Sequence, residues 1–163
     1  MKKSIKTLVL STVLILFVTL SCSKDESELV KEGGPFKISE LAGNWEATSA
    51  FFTGENDNVS VDIIADGGSV SMAVQSTGRC TLTINPDDRE AYMESGEMFW
   101  ELFEGDYYFA IAWDAYPGDW ASYGATLTDT TFSMYGGPDT GEYDFENDGT
   151  SESASIGFEF IKI

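Results

Sequence analysis

The chain has 163 residues, of which 28 are acidic, nine are lysine or arginine and none is histidine, giving a formal charge of −19. A field of that sign repels nucleic acid and anionic lipid headgroups, and the missing histidine removes Cys/His nucleophile pairs and makes zinc or haem ligation an unfavoured reading. The length suits one compact domain with a sizeable core.

Lys2, Lys3 and Lys6 precede an apolar run from Leu8 to Leu20, interrupted by Ser11, Thr12 and Thr19 and followed by Ser21 and Cys22. The run is shorter than a membrane span requires, and the order basic, apolar, small is that of an export leader. Val18, Thr19, Leu20, Ser21 and Cys22 resemble the lipobox of bacterial lipoproteins, although Thr19 stands where an apolar residue is usual. The resemblance implies a signal peptide over residues 1–21, cleavage before Cys22 and acylation of that cysteine, with an ordinary secretory signal or an uncleaved helix as the alternatives. Two or three acyl chains anchor stably, where one is marginal. Ser23, Lys24, Asp25 and Glu26 resemble the lysine-plus-acidic signal of Bacteroidetes lipoproteins, which implies the outer membrane and its outer face. Cleavage would leave six basic residues against 28 acidic ones. For a surface protein that excess serves solubility, or else attracts cations and basic partners.

Residues 22–37, with Lys24, Glu28, Lys31 and Glu32 ending in Gly33, Gly34 and Pro35, read as a lipidated flexible tether. Residues 38–163 form the domain. Trp45, Ala47, Ser49 and Phe51 alternate with Glu46, Thr48 and Ala50, then Val59, Val61 and Ile63 follow, and Asp66, Gly67 and Gly68 turn the chain into Val70, Met72 and Val74. Cys80, Leu82 and Ile84 share the next strand face, so Cys80 reads as a small buried hydrophobe.

Asn85 as a cap, Pro86 at the first helical position and Asp87, Asp88 and Glu90 near the dipole's positive end predict a short helix to about Glu94. Met98 to Phe103 then reads as a strand, and Glu104, Gly105 and Asp106 as a hairpin into Tyr107, Phe109, Ile111 and Trp113. A loop carries Tyr116, Pro117, Gly118, Asp119 and Trp120. Strands through Tyr123, Ala125 and Leu127, through Phe132 and Met134, and through Ile156, Phe158 and Phe160 complete the chain, with Tyr143 and Phe145 before the last turn. Eight or nine short strands predict an all-β domain, an antiparallel up-and-down barrel or, with the same periodicity, a two-sheet sandwich.

Leu41, Ala42, Gly43, Asn44 and Trp45 resemble the Leu-x-Gly-x-Trp opening of lipocalins and lipocalin-like proteins. Further stretches, around Asp66, from Ala125 to Phe132 and from Tyr143 to Thr150, resemble lipocalin-like lipoproteins of Bacteroidetes. The resemblance implies an eight-stranded barrel closed at one end by Trp45, with Gly43 allowing the tight turn into the first strand. The chain lacks the Thr-Asp-x-Tyr motif of lipocalins, and its only arginines are Arg79 and Arg89, so none matches the arginine that stacks on that tryptophan.

Two clusters are candidate sites. Tyr116 and Trp120 flank Pro117 and Gly118 beside Trp113, Asp114 and Asp119; aromatic faces next to carboxylates at a barrel mouth suit a sugar or another partly apolar ligand, while loop packing is the structural alternative. Asp144, Glu146, Asp148 and Glu152 approximate half of a calcium loop, but Ser155 stands where its last glutamate belongs, which favours an acidic hairpin without a metal. Asp129, Thr130 and Thr131 match a Bacteroidetes O-glycosylation acceptor or an ordinary turn. No convincing nucleophile is present, so the expected role is a surface binding module for a small apolar molecule or glycan. The alternative is a structural or accessory surface protein that docks a partner protein.

Overall fold

The computed structural model describes residues 27–54 and 59–163; the leader, Cys22 and the Lys24 to Glu26 signal lie outside them. Among the described residues ten strands occur in the order β1 (Glu28–Val30), β2 (Gly43–Gly54), β3 (Ser60–Asp62), β4 (Ser69–Val74), β5 (Arg79–Asn85), β6 (Tyr92–Phe103), β7 (Asp106–Trp113), β8 (Ala121–Leu127), β9 (Thr131–Tyr143) and β10 (Glu152–Lys162). β3 and β4 pair with successive stretches of β2, Phe51 to Thr53 and Gly43 to Glu46, so together they make one interrupted stave. From β4 onward each strand pairs antiparallel with the next, and β10 returns to β2. The result is a closed eight-stranded antiparallel barrel of lipocalin-like form, and not a two-sheet sandwich.

One end is sealed. A 3-10 turn at Ile38–Leu41 lies across it, with both named residues fully buried. Trp45 is 0 % exposed and its indole N–H donates to the Leu41 carbonyl at 2.8 Å. Gly43 has φ +140°, and a Cβ there would come within 2.9 Å of the Lys162 side chain. Only glycine takes that backbone without strain. The Lys162 ammonium lies 5.1 Å from the Trp45 ring centroid, so a lysine of the last strand supplies the cation over the tryptophan. Phe132 extends the seal between Trp45 at 6.0 Å and Phe109 at 5.8 Å.

The sequence expectations fail in three places. First, Pro86 to Ala91 form a bent link and no helix. Tyr92 to Glu94 are drawn into β6, where they pair with Ile84, Thr83 and Leu82, and Arg89 leaves the chain to lie 4.9 Å over the Tyr143 ring and donate to the Asp144 carbonyl. A ladder of tertiary hydrogen bonds outweighs the local capping preference. Second, the tether does not extend to residue 37. β1 pairs with Trp100 to Leu102 of β6, covering an edge that β5 leaves bare, and Trp100 donates its indole N–H to the Phe36 carbonyl at 2.8 Å. Third, the strict alternation of β2 breaks at Thr48. A bulge there sets Ala47 opposite Phe160 but Ser49 opposite Glu159, which turns Ala50 and Phe52 inward and Phe51 outward onto Gly157.

Trp45→Ala should lower unfolding free energy by about 3–5 kcal/mol, the cost of emptying a buried large aromatic site. Lys162→Met should cost only about 0.5–1 kcal/mol, since a partly exposed cation over a ring contributes little more. Denaturant titration measures both; equal midpoints for wild type and Trp45→Ala would refute the sealing role.

Candidate functional site

The sealed end is filled by aromatic side chains, but the opposite end is not. A cavity of about 260 Å³ opens there, with Phe52, Leu82, Ile84, Ile156 and Phe158 as an apolar floor. Trp113, Tyr116, Asp119, Trp120 and Ala121 form one side of its rim, and Glu94, Asp139, Thr140, Gly141 and Glu142 the other. Strand register explains the floor: Leu82 and Ile84 share the inward face of β5, and Ile156 and Phe158 that of β10.

Four of the five residues expected at a mouth are therefore gathered at one. Tyr116 is 50 % exposed, and the neighbouring Glu142 carboxylate raises its pKa. Trp113 donates its indole N–H to the Tyr123 hydroxyl at 3.0 Å, and Tyr123 in turn donates to the Thr140 carbonyl at 2.9 Å, so its ring is fixed across the wall. Burial pushes the Tyr123 phenol up to about 12, keeping it a neutral donor. Trp120 is half-buried, edge-on to Phe99 at 6.1 Å with its N–H on Glu101 at 3.1 Å, and borders the cavity by its remaining surface. Asp114 does not join them. Arg79 holds it in a two-pronged ion pair of 2.8 and 2.6 Å, which lowers its pKa and turns it away from the cavity.

The residues that sequence reasoning missed come from distant strands. Glu94 belongs to the inward stripe of Tyr92, Gly96, Met98 and Trp100 on β6. Glu94 is an exposed residue, with accessible surface that lines the open cavity. Surrounding protein desolvates it and raises its pKa, and the nearby Glu142 charge adds to the rise. No hydrogen bond or ion pair reaches Glu94 among the described residues. Glu142 and Asp139 arrive through an irregular stretch of β9, where the partner of Ala154 is Gly141 but that of Ile156 is Gly136. Asp139 accepts a hydrogen bond from Ser153 and has φ +60°. An acid at strand parity within an apolar stripe is a readable signal for Glu94; Glu142 stands in the sequence as one of the acids around the last turn, and nothing local places it at the mouth.

The acidic quartet of the last turn has another task. Asp144 accepts the backbone N–H groups of Asp148 at 3.1 Å and Gly149 at 2.7 Å, and Asp148 accepts that of Thr150 at 2.8 Å. These are turn-stabilising bonds of acidic side chains to their own loop. Glu146 and Glu152 do not converge with them, and among the described residues no group of three or more candidate ligands is placed to hold a metal ion. Thr128 and Thr131 likewise bond each other across the β8–β9 turn at 2.6 Å. Cys80 is buried, with its thiol pushed up to about 12 by that burial.

No family model, curated protein or solved structure matches the chain.

The raised Glu94 pKa sets a pH dependence. The folded state holds the proton more tightly than the unfolded chain, so wild type is relatively most stable below the ordinary glutamate pKa and loses that advantage as pH rises through the folded value. Glu142 of β9, Tyr123 of β8, Tyr116 of the rim loop and Tyr92 on the same strand face it, and none is cationic. Glu94→Gln should therefore raise the denaturation midpoint over wild type at neutral pH, with the gap closing in acid. A gap that is equal in both, or reversed, would refute the assignment.

Proposed function

We propose that this chain is a lipid-anchored binding module of a bacterial outer surface, whose barrel takes a small, partly apolar ligand and binds it without transforming it. The observation that carries this reading is the cavity, which opens beside Trp113, Tyr116 and Trp120 above an apolar floor. Its volume of about 260 Å³ lies just under the usual range of about 300–1,000 Å³, which favours a ligand of one or two rings or a single sugar unit over an acyl chain or oligosaccharide. The acidic rim disfavours fatty acids and other anions.

The anchor and the mouth are compatible in space. β1 meets β6 at Trp100 to Leu102, close to the Glu104–Gly105 turn of the sealed end. Six residues beyond Cys22 the chain reaches Glu28, a span of roughly 20 Å at full extension. An anchor at Cys22 thus holds the sealed end towards the membrane and leaves the mouth facing outward.

A second reading, docking of a partner protein, draws on Leu29, Phe103, Tyr107 and Tyr108, which are exposed around the sealed end. A shallow depression of about 350 Å³ lies beside Tyr107 and Tyr108 on that face.

Two measurements test the proposal. Cell fractionation should find wild type in membranes carrying lipid label and Cys22→Ala without it; unchanged labelling and recovery would refute the anchor. Screening of small apolar compounds, neutral and cationic, and of monosaccharides by tryptophan fluorescence should give saturable binding in wild type, and Ile156→Phe, which fills the floor, should weaken it about tenfold or more while the fold is retained. A folded wild type that responds to none of them would refute the cavity as a site.

A further inference from the structure

The charged side chains at the cavity rim are all of one sign. Glu94, Asp119, Asp139 and Glu142 are carboxylic, whereas no lysine or arginine lines the cavity. Elsewhere on the barrel the cations are already engaged: Arg79 with Asp114, Arg89 with Asp88, Lys31 with Glu97, and Lys162 over Trp45. Beneath the acids lies an apolar floor, and Trp113, Tyr116 and Trp120 complete the lining.

This layering of apolar base, aromatic wall and acidic rim has one complement. A neutral ligand fills the floor and leaves the rim carboxylates facing each other across the mouth. An anion meets repulsion from every one of them. A molecule with an apolar body and a cationic head satisfies all three layers, its body on Phe52 and Ile156 beside the aromatic wall and its head between Glu94 and Glu142, where a charge-assisted hydrogen bond adds to the ion pair. Walls of low polarity strengthen that pairing relative to the open surface, and the net charge of −19 draws cations to the molecule.

We propose that the ligand of this cavity is a small organic cation, an ammonium compound with an aromatic or aliphatic body, received by Glu94 and Glu142. The inference rests on the cavity being a binding site. It goes further by fixing the charge of the ligand.

Three probes of matched shape separate the two ideas: 2-phenylethylammonium, 2-phenylethanol and 3-phenylpropionate, titrated calorimetrically into the full-length protein in non-ionic detergent. The ammonium should bind at least about tenfold tighter than the alcohol, the carboxylate should bind weakest, and the preference should shrink as salt rises. Glu94→Gln should remove most of the ammonium preference. Asp129→Asn, in the β8–β9 turn of the sealed end, should change none of the three affinities. If the alcohol binds as tightly as the ammonium, the cation inference is overturned while the cavity stands. An ammonium preference that survives Glu94→Gln combined with Glu142→Gln belongs to general surface charge and overturns it too. Folded protein that binds none of the three overturns both.

Discussion

The pairing of β2 with β10 is the contact on which the other features depend. Until the two strands meet, each inward stripe is merely the apolar face of a meander, with a bare edge at either side. Closure gives the eight staves a common interior, and strand parity then decides what enters it. The bulge at Thr48 is part of that closure. It reverses the parity of β2 halfway, so that Trp45 seals one end while Phe52, seven residues on, faces the cavity at the other.

The two ends diverge from this common frame. At the sealed end, large rings from Phe36, Trp45, Trp100, Phe109 and Phe132 meet within about one ring diameter, and the N-terminal strand pairs along the edge of β6. Such interlocking tolerates little change in volume. At the open end the floor residues are aliphatic or single rings, and the rim is made of loop side chains and the irregular part of β9. Space is left where the strands supply too few inward side chains to fill it. Gly141 shows the limit of that space, since a Cβ there would come within 2.4 Å of the Ile156 side chain.

What could be read from the sequence follows the range of the interactions involved. Period-two stripes such as Val70, Met72 and Val74, or Cys80, Leu82 and Ile84, are local, and they were legible with their faces correct. So was the short arc of Trp113, Tyr116, Asp119 and Trp120, because one loop carries all four. The helix expected after Asn85 failed for the opposite reason: its caps are local, but β6 starts at Tyr92 because β5 offers it a partner. Asp114 sits within the legible arc and yet faces away, since its fate is decided by Arg79, 35 residues earlier. Glu142 and Asp139 reach the rim only through the register of β9 on β10, which no single stretch of sequence encodes. Lys162 takes the place over Trp45 for which no arginine was available, and a search by residue type alone passes it over.

Glu94 draws these strands together. On the outside of the barrel it would be one acid among 28, fully hydrated and of no consequence. On the inward face of β6 the same carboxyl loses part of its hydration and faces Glu142, so ionising it opposes folding. The wall that makes its charge costly in the empty protein also keeps water from screening a counter-charge placed beside it. On the proposed reading a proton and a cationic ligand compete for one carboxylate. A site of this kind takes a cation best above the pH at which Glu94 gives up its proton, and its stability and its selectivity have a common origin in one side chain held at the wrong parity for solvent.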